Sequence, residues 1–171
     1  MTGPDASAPG PGATGAAPAG GGARPARRLI PVGAQPARPG GEAVPVVNLF
    51  DAVGGQPFFD ELVERFYRGV AADPVMRPLY PDDLTDPKRH LALFLGQYWG
   101  GPSTYSDERG HPRLRMRHAP FAIGEAERDA WLRHMSAALD SLVDERDLHP
   151  AIEARMLEYF GMAADGMINV R

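Results

Sequence analysis

Large apolar side chains recur at helical intervals from Phe59 onward. Phe59, Leu62, Val63, Phe66, Tyr67 and Val70 fall at i, i+3, i+4, i+7, i+8 and i+11, the spacing of one stripe along an α-helix. Gly54-Gly55-Gln56-Pro57 provides the entry to that helix and Asp73-Pro74 its end, because proline disfavours helical geometry in the residue before it. A second stripe, Leu91, Phe94, Leu95 and Tyr98, is entered through Asp86-Pro87 and stopped by Gly100-Gly101-Pro102. Asp86 reads as its N-cap and Pro87 as its first helical residue. A third stripe starts near Glu125 and places Trp131, His134, Met135, Ala138, Leu139 and Leu142 on one face. A fourth follows His149-Pro150 with Ile152, Met156, Phe160, Ala163 and Met167. No segment alternates as a half-buried strand does, and no internal repeat is present.

Between the second and third stripes, residues 102–123 carry Pro102, Gly110, Pro112 and Pro120 and no sustained period. The spacing predicts a loop with one or two short helical turns, of a length that is usually functional or clamped by something. Four principal helices and this crossover predict an all-α domain over residues 47–171, arranged as two antiparallel pairs. Ahead of it, 30 of the first 46 residues are Ala, Gly or Pro, so residues 1–46 cannot bury enough apolar surface to offset the cost of ordering and are expected to be a disordered extension. Its basic run around Arg24, Arg27 and Arg28 reads as a solvated tail.

Charge and composition narrow the chemistry. A formal charge of −4 offers nothing to a phosphate backbone or an anionic membrane, so neither nucleic acid nor membrane is an expected partner. The absence of cysteine removes disulfides, thiolate-held metals and thiol catalysis. No apolar run approaches the roughly 20 residues that span a bilayer. Residues 2–23 contain no Leu, Ile or Val from which to build a secretory leader, and a cytoplasmic location is expected.

Among the five histidines, His118 stands apart. It closes Arg113-Leu114-Arg115-Met116-Arg117-His118 and precedes Ala119-Pro120-Phe121. Neutral imidazole is the commonest metal ligand, and the flanking arginines suit a cofactor's carboxylates. On these residues alone a surface histidine and a metal ligand both remain open. Tyr67 lies on the apolar face of the first helix, Trp131 opens that of the third, and Tyr80 closes the turn between the first two. Each joins an apolar body to one polar hydrogen that needs a partner when buried. A ligand with lone pairs would satisfy them, as would backbone carbonyls in an ordinary core.

Longer blocks decide between these readings. Leu49-Phe50-Asp51-Ala52-Val53-Gly54-Gly55, Arg65-Phe66-Tyr67, Leu79-Tyr80-Pro81, Phe94-Leu95-Gly96-Gln97-Tyr98-Trp99-Gly100-Gly101-Pro102, Gly110 through Phe121, and Glu127-Arg128-Asp129-Ala130-Trp131-Leu132 together resemble the group II truncated haemoglobins. The resemblance covers about 120 residues and fades in the last helix.

It implies a truncated globin fold, a two-over-two helical sandwich, holding haem b in a pocket clamped by the long crossover. His118 matches the proximal iron ligand, and Tyr67, Tyr80 and Trp131 match the distal hydrogen-bond donors. Leu91 matches the apolar distal residue, with Phe94 and Leu95 on the same wall and Phe66, Met116, Phe121 and Met135 as further pocket residues. Arg115, Arg117 and His90 are the expected propionate contacts. The ligands implied are oxygen, nitric oxide or carbon monoxide. Three donors around one ligand would make its release slow, which suits sensing, storage or redox chemistry better than transport.

A nitric oxide dioxygenase or peroxidase-like activity is the alternative, with a separate reductase as electron source. A non-haem helical interaction module is the competing class. Monomer and homo-oligomer are both open. Two departures stand out: the connection before the second helix is one residue short, and Pro87 occupies a position where the family has a small residue. His90 lies one turn before Phe94, within reach of a pocket edge.

Overall fold

The computed structural model describes residues 48–170. The expected disordered extension, and the start of the domain boundary drawn at residue 47, lie outside the described residues. Seven α-helices and one 3₁₀ turn follow in order: α1 (Leu49–Ala52), α2 (Gln56–Ala72), the 3₁₀ turn Arg77–Leu79, α3 (Thr85–Tyr98), α4 (Thr104–Arg109), α5 (Leu114–His118), α6 (Glu125–Arg146) and α7 (Pro150–Asp165). Among the described residues there is no strand, and no helix is long and apolar enough to cross a membrane.

Packing follows the stripes. α2 lies against α3 and α6, and α6 lies against α7, which yields the expected two pairs. Phe58, Phe59, Leu62 and Phe66 of α2 are fully buried, as are Met135, Leu139 and Leu142 of α6 and Met156 of α7. Burial of each such side chain stabilises the fold by about 1.5–3 kcal/mol before entropy is charged against it. α2 and α6 are also joined outside the core, where Arg65 reaches Ser141 and Glu145.

The two ends of α2 are fixed differently. Gly54 and Gly55 have φ of 94° and 79°, a left-handed region open to glycine, and they turn the chain from α1 into α2. At the far end Asp73 takes an extended conformation and caps the helix. Its carboxylate accepts from the amides of Val75 and Met76 and from the side chains of Arg133 and His134 on α6.

α3 starts at Thr85, one residue before the expected cap. Asp83, not Asp86, accepts from the Thr85 amide, at 2.9 Å. Pro87 therefore sits inside the first turn, where its missing N–H removes no intrahelical bond. α1 was not foreseen. Its Asn48 accepts from the Asp51 amide and donates to Gly100, so the start of the domain is tied to the end of α3.

The aperiodic crossover contains α4 and α5. Gln97 of α3 donates to the Ser106 hydroxyl at 2.7 Å and accepts from its amide at 2.9 Å, which docks α4 on α3. α5 begins after Arg113, whose φ of 43° is left-handed. Asn169, beyond α7, donates to the carbonyls of His118 and Phe121 and accepts from the Ile123 amide. The end of the chain thus holds down the segment that presents His118.

Candidate functional site

His118 is the last residue of α5, a single turn of helix. In such a turn residues three and four apart share a face, so Leu114, Arg117 and His118 point together. The imidazole Nδ1 lies 2.8 Å from the Leu114 carbonyl oxygen. A carbonyl can only accept, so Nδ1 carries the hydrogen, which in the neutral imidazole leaves the lone pair on Nε2. Such a backbone contact is how ligating histidines are usually oriented.

Nε2 belongs to a residue on the wall of a cavity of about 360 Å³ between the helix pairs. Leu114, Arg117 and His118 of α5 contribute to it, with Phe121 and Ile123 just beyond. Tyr67 of α2, Leu79 and Tyr80 of the 3₁₀ turn, and Leu91, Phe94 and Leu95 of α3 line it as well. α6 adds Trp131, and α7 adds Tyr159 and Phe160.

The two phenols sit close together, with Tyr67 and Tyr80 rings edge to face at 5.4 Å between centroids. Burial pushes the Tyr67 hydroxyl far above its ordinary range, reinforced by the neighbouring Tyr80. Tyr80 is pushed up to about 12 by burial, offset in part by the neighbouring Tyr67. Both groups remain protonated donors at any physiological pH. Trp131 rests on Phe66 and Phe160, and among the described residues its indole N–H has no protein acceptor.

His90 lines the cavity beside Arg109, with Nε2 3.0 Å from a guanidinium nitrogen. Arg109 can only donate, so His90 Nε2 accepts and is unprotonated. Burial first, and then the Arg109 charge, hold its pKa below the ordinary value. Arg117, also on the wall, spends Nε on the Pro112 carbonyl and one amino group on that of Arg109, which braces the loop around His118. Pro87 lines the cavity too.

Three expected pocket residues and one expected propionate contact are placed elsewhere. Phe66 and Met135 have no exposed surface and lie in the core outside the cavity lining. Met116 is 67 % exposed, and with Arg115 it lines a separate crevice against Met167 and Asn169. The reason is helical phase: in α5 the face shared by residues 114, 117 and 118 excludes 115 and 116. Conversely, the cavity includes Tyr105, Arg109, Arg128 and Tyr159, none of which the sequence reading proposed. Tyr105 and Arg109 belong to the aperiodic crossover. Tyr159 stands seven residues after Ile152 and three after Met156, on the face of the α7 stripe, and that spacing was the signal available.

The residues suit a flat cofactor that brings its own metal ligands. Among the described residues no group of three or more His, Asp or Glu could hold a bare ion. The cavity instead offers one imidazole with a free nitrogen, an apolar wall and cations near its edge.

Comparison with known proteins shows the family. The family description of bacterial-like globins matches residues 48–165. The group 2 truncated haemoglobin YjbI of Bacillus subtilis is 40 % identical over 107 residues, which is 63 % of this chain and 80 % of that protein. Among solved structures, a thermostable haemoglobin from the actinobacterium Thermobifida fusca is 54 % identical, covering 72 % of this chain and 98 % of the other with a TM-score of 0.69. A truncated haemoglobin from Bacillus subtilis described as oxygen-avid is 37 % identical, covering 72 % of this chain and all (100 %) of the other, with a TM-score of 0.66.

Proposed function

Since the chain belongs to the bacterial-like globin family, among the group II truncated haemoglobins, we propose that it holds haem b through His118 and binds oxygen and related diatomic ligands there. One observation carries this reading: a single imidazole with its Nε2 lone pair free shares an apolar cavity with two protonated phenols and an unpartnered indole N–H. The absence of cysteine excludes thioether attachment, which favours a haem held only by ligation, burial and its propionates.

Haem, once bound, would supply an iron able to take a diatomic ligand and to exchange electrons. The protein's residues do the rest. The Leu114 carbonyl fixes the His118 tautomer and ring plane. Leu91, Phe94 and Leu95 exclude water, which strengthens every polar contact within. Tyr67, Tyr80 and Trp131 offer O–H and N–H groups to the partial negative charge of a diatomic ligand, and bonds to charged acceptors are the stronger kind. At the rim Arg117, Arg109 and His90 are placed to meet carboxylates, whereas Arg115 is on the wrong face of α5. Nitric oxide and carbon monoxide are ligands of the same kind as oxygen, and redox chemistry on bound oxygen, nitric oxide or peroxide would draw its electrons from a separate reductase.

The test is spectroscopic. Purified or haem-reconstituted protein should show an intense Soret band, and His118→Ala should lose stable haem retention. Undiminished haem binding by that variant would falsify the proximal assignment. A colourless protein that cannot be reconstituted supports the interaction module in its place.

A further inference from the structure

Residues 109–124 hold four arginines, two histidines and no Asp or Glu, in a chain whose formal charge is −4. α5 divides these cations between its two faces. Arg117 and His118 line the cavity, whereas Arg113, Arg115 and Met116 are exposed. Elsewhere Arg65, Arg77, Arg89, Arg128 and Arg133 are each paired with a carboxylate. Among the described residues Arg113 and Arg115 pair with none. Arg115 and Met116 open onto a second crevice, whose other walls are Ala119 and the segment just beyond α7, and no acidic side chain lines it. Met167 lines both this crevice and the cavity, so its thioether side chain belongs to the wall between them.

We propose that the outer face of α5 is the docking surface for the electron donor, an acidic carrier protein that gives up one electron at a time from an iron–sulfur or flavin group. The proposal deepens the haem reading above and rests on it. In each encounter the carrier is oxidised by one electron and the iron held by His118 passes from ferric to ferrous, with no bond formed or broken. An α-helix is about 10–12 Å across with its side chains. A partner seated on the outer face of α5 therefore stands one helix width from the imidazole on the inner face.

Charge selects the occupant. An apolar floor beside Arg and Met has the composition of a protein interface, and guanidinium groups without a partner suit carboxylates, which they bind in a fork. A second copy docked by two-fold symmetry would bring the same arginines against one another. The first 46 residues carry Arg24, Arg27, Arg28 and Arg38 against Asp5 and Glu42, an excess of the same sign, which does not complement the patch. Haem carboxylates in the cavity lie on the other face of α5, where Arg117 is placed to meet them.

The full-length, haem-loaded ferric chain under carbon monoxide is mixed by stopped flow with either of two acidic probes reduced beforehand, a plant-type ferredoxin and a flavodoxin, and followed at the Soret band. The second-order rate should fall steeply as salt rises from about 0.01 M to about 1 M, because screening removes the steering of opposite charges. The double variant Arg113→Glu, Arg115→Glu should be reduced about tenfold more slowly at low salt, with a flatter salt dependence. Its reduction by free reduced riboflavin, which is small and neutral, should match that of the wild type. In the ferrous carbon monoxide form, oxidised ferredoxin should shift the nuclear magnetic resonance signals of amides in 113–119 and 166–169. Rates indifferent to salt and to the charge reversals with both probes, or shifts confined to another face, would overturn the docking surface and leave the haem reading standing. So would a dimer in sedimentation that the reversals dissociate, or binding to phosphatidylglycerol vesicles in place of the carriers. A wild-type chain that takes up no haem overturns both.

Discussion

Tyr67 and Tyr80 carry the same functional group in adjoining positions, yet they are not equivalent. Burial, then the neighbouring Tyr80, makes the Tyr67 proton the harder to remove, while at Tyr80 burial is offset in part by Tyr67. Trp131 brings an indole N–H to the same cavity. Replacing Tyr67 by Phe removes a hydroxyl from the cavity wall, and replacing Trp131 by Phe removes an indole N–H. If either loss costs the bound ligand about 1.4 kcal/mol, its escape quickens about tenfold. Stopped-flow displacement of oxygen by carbon monoxide should therefore give faster dissociation for Tyr67→Phe and for Trp131→Phe. Unchanged rates in both would remove these side chains from ligand stabilisation. Tyr67 and Trp131 were legible as members of apolar stripes with one polar atom each. Tyr159 was legible in the same way, seven residues after Ile152 and three after Met156, and was passed over.

The elements meet at a polar lock as well as at the core. Asp73 ends α2 and receives Arg133 and His134 from α6, each at 2.7 Å. Gly69, one turn earlier, makes room for the His134 ring, since a Cβ there would collide with it. The bond from His134, then the amide of Met76, with smaller help from Val75 and Arg133, holds the Asp73 carboxyl below the usual carboxylate range against its desolvation. A pKa lowered by folding means that the unfolded chain binds the proton first on acidification. The stabilisation is therefore complete above the unfolded value of about 3.9 and is lost as pH falls below it toward the folded value. Asp73→Asn keeps the shape but not the charge. Its thermal midpoint should lie below that of the wild type at pH 7, and the gap should narrow as pH drops below about 4. A gap constant from neutral pH to pH 3 would show that the charge contributes nothing. No sequence pattern announced this lock: Asp73-Pro74 read as a helix end, and His134 as a member of the α6 stripe. Only the docking of α2 on α6 brings the three side chains together.

For the molecule as a whole, legibility followed length. The helices α2, α6 and α7 run 17, 22 and 16 residues, enough turns for the apolar period to show, and their limits were read within a few residues. α5 has five residues and no period to read, so Met116 and Arg115 were drawn into the pocket with their neighbours although they face away from it. α1 has four and exists through its contacts: the Phe50 amide donates to the Trp99 carbonyl, and Gly101 leaves space for the Phe50 ring. These contacts tie α1 to the end of α3. Asn48 caps α1 and reaches Gly100, whereas every residue that lines the cavity lies between Tyr67 and Met167. Removing residues 1–46 should accordingly leave the Soret band and the thermal midpoint of the haem-loaded protein unchanged. Removing Asn48 as well should lower the midpoint, because losing an N-cap costs about 0.5–2 kcal/mol and frees the end of α3. A spectral change on the shorter deletion would show that the extension touches the haem site, and a harmless second deletion would show that α1 is held by Phe50 alone.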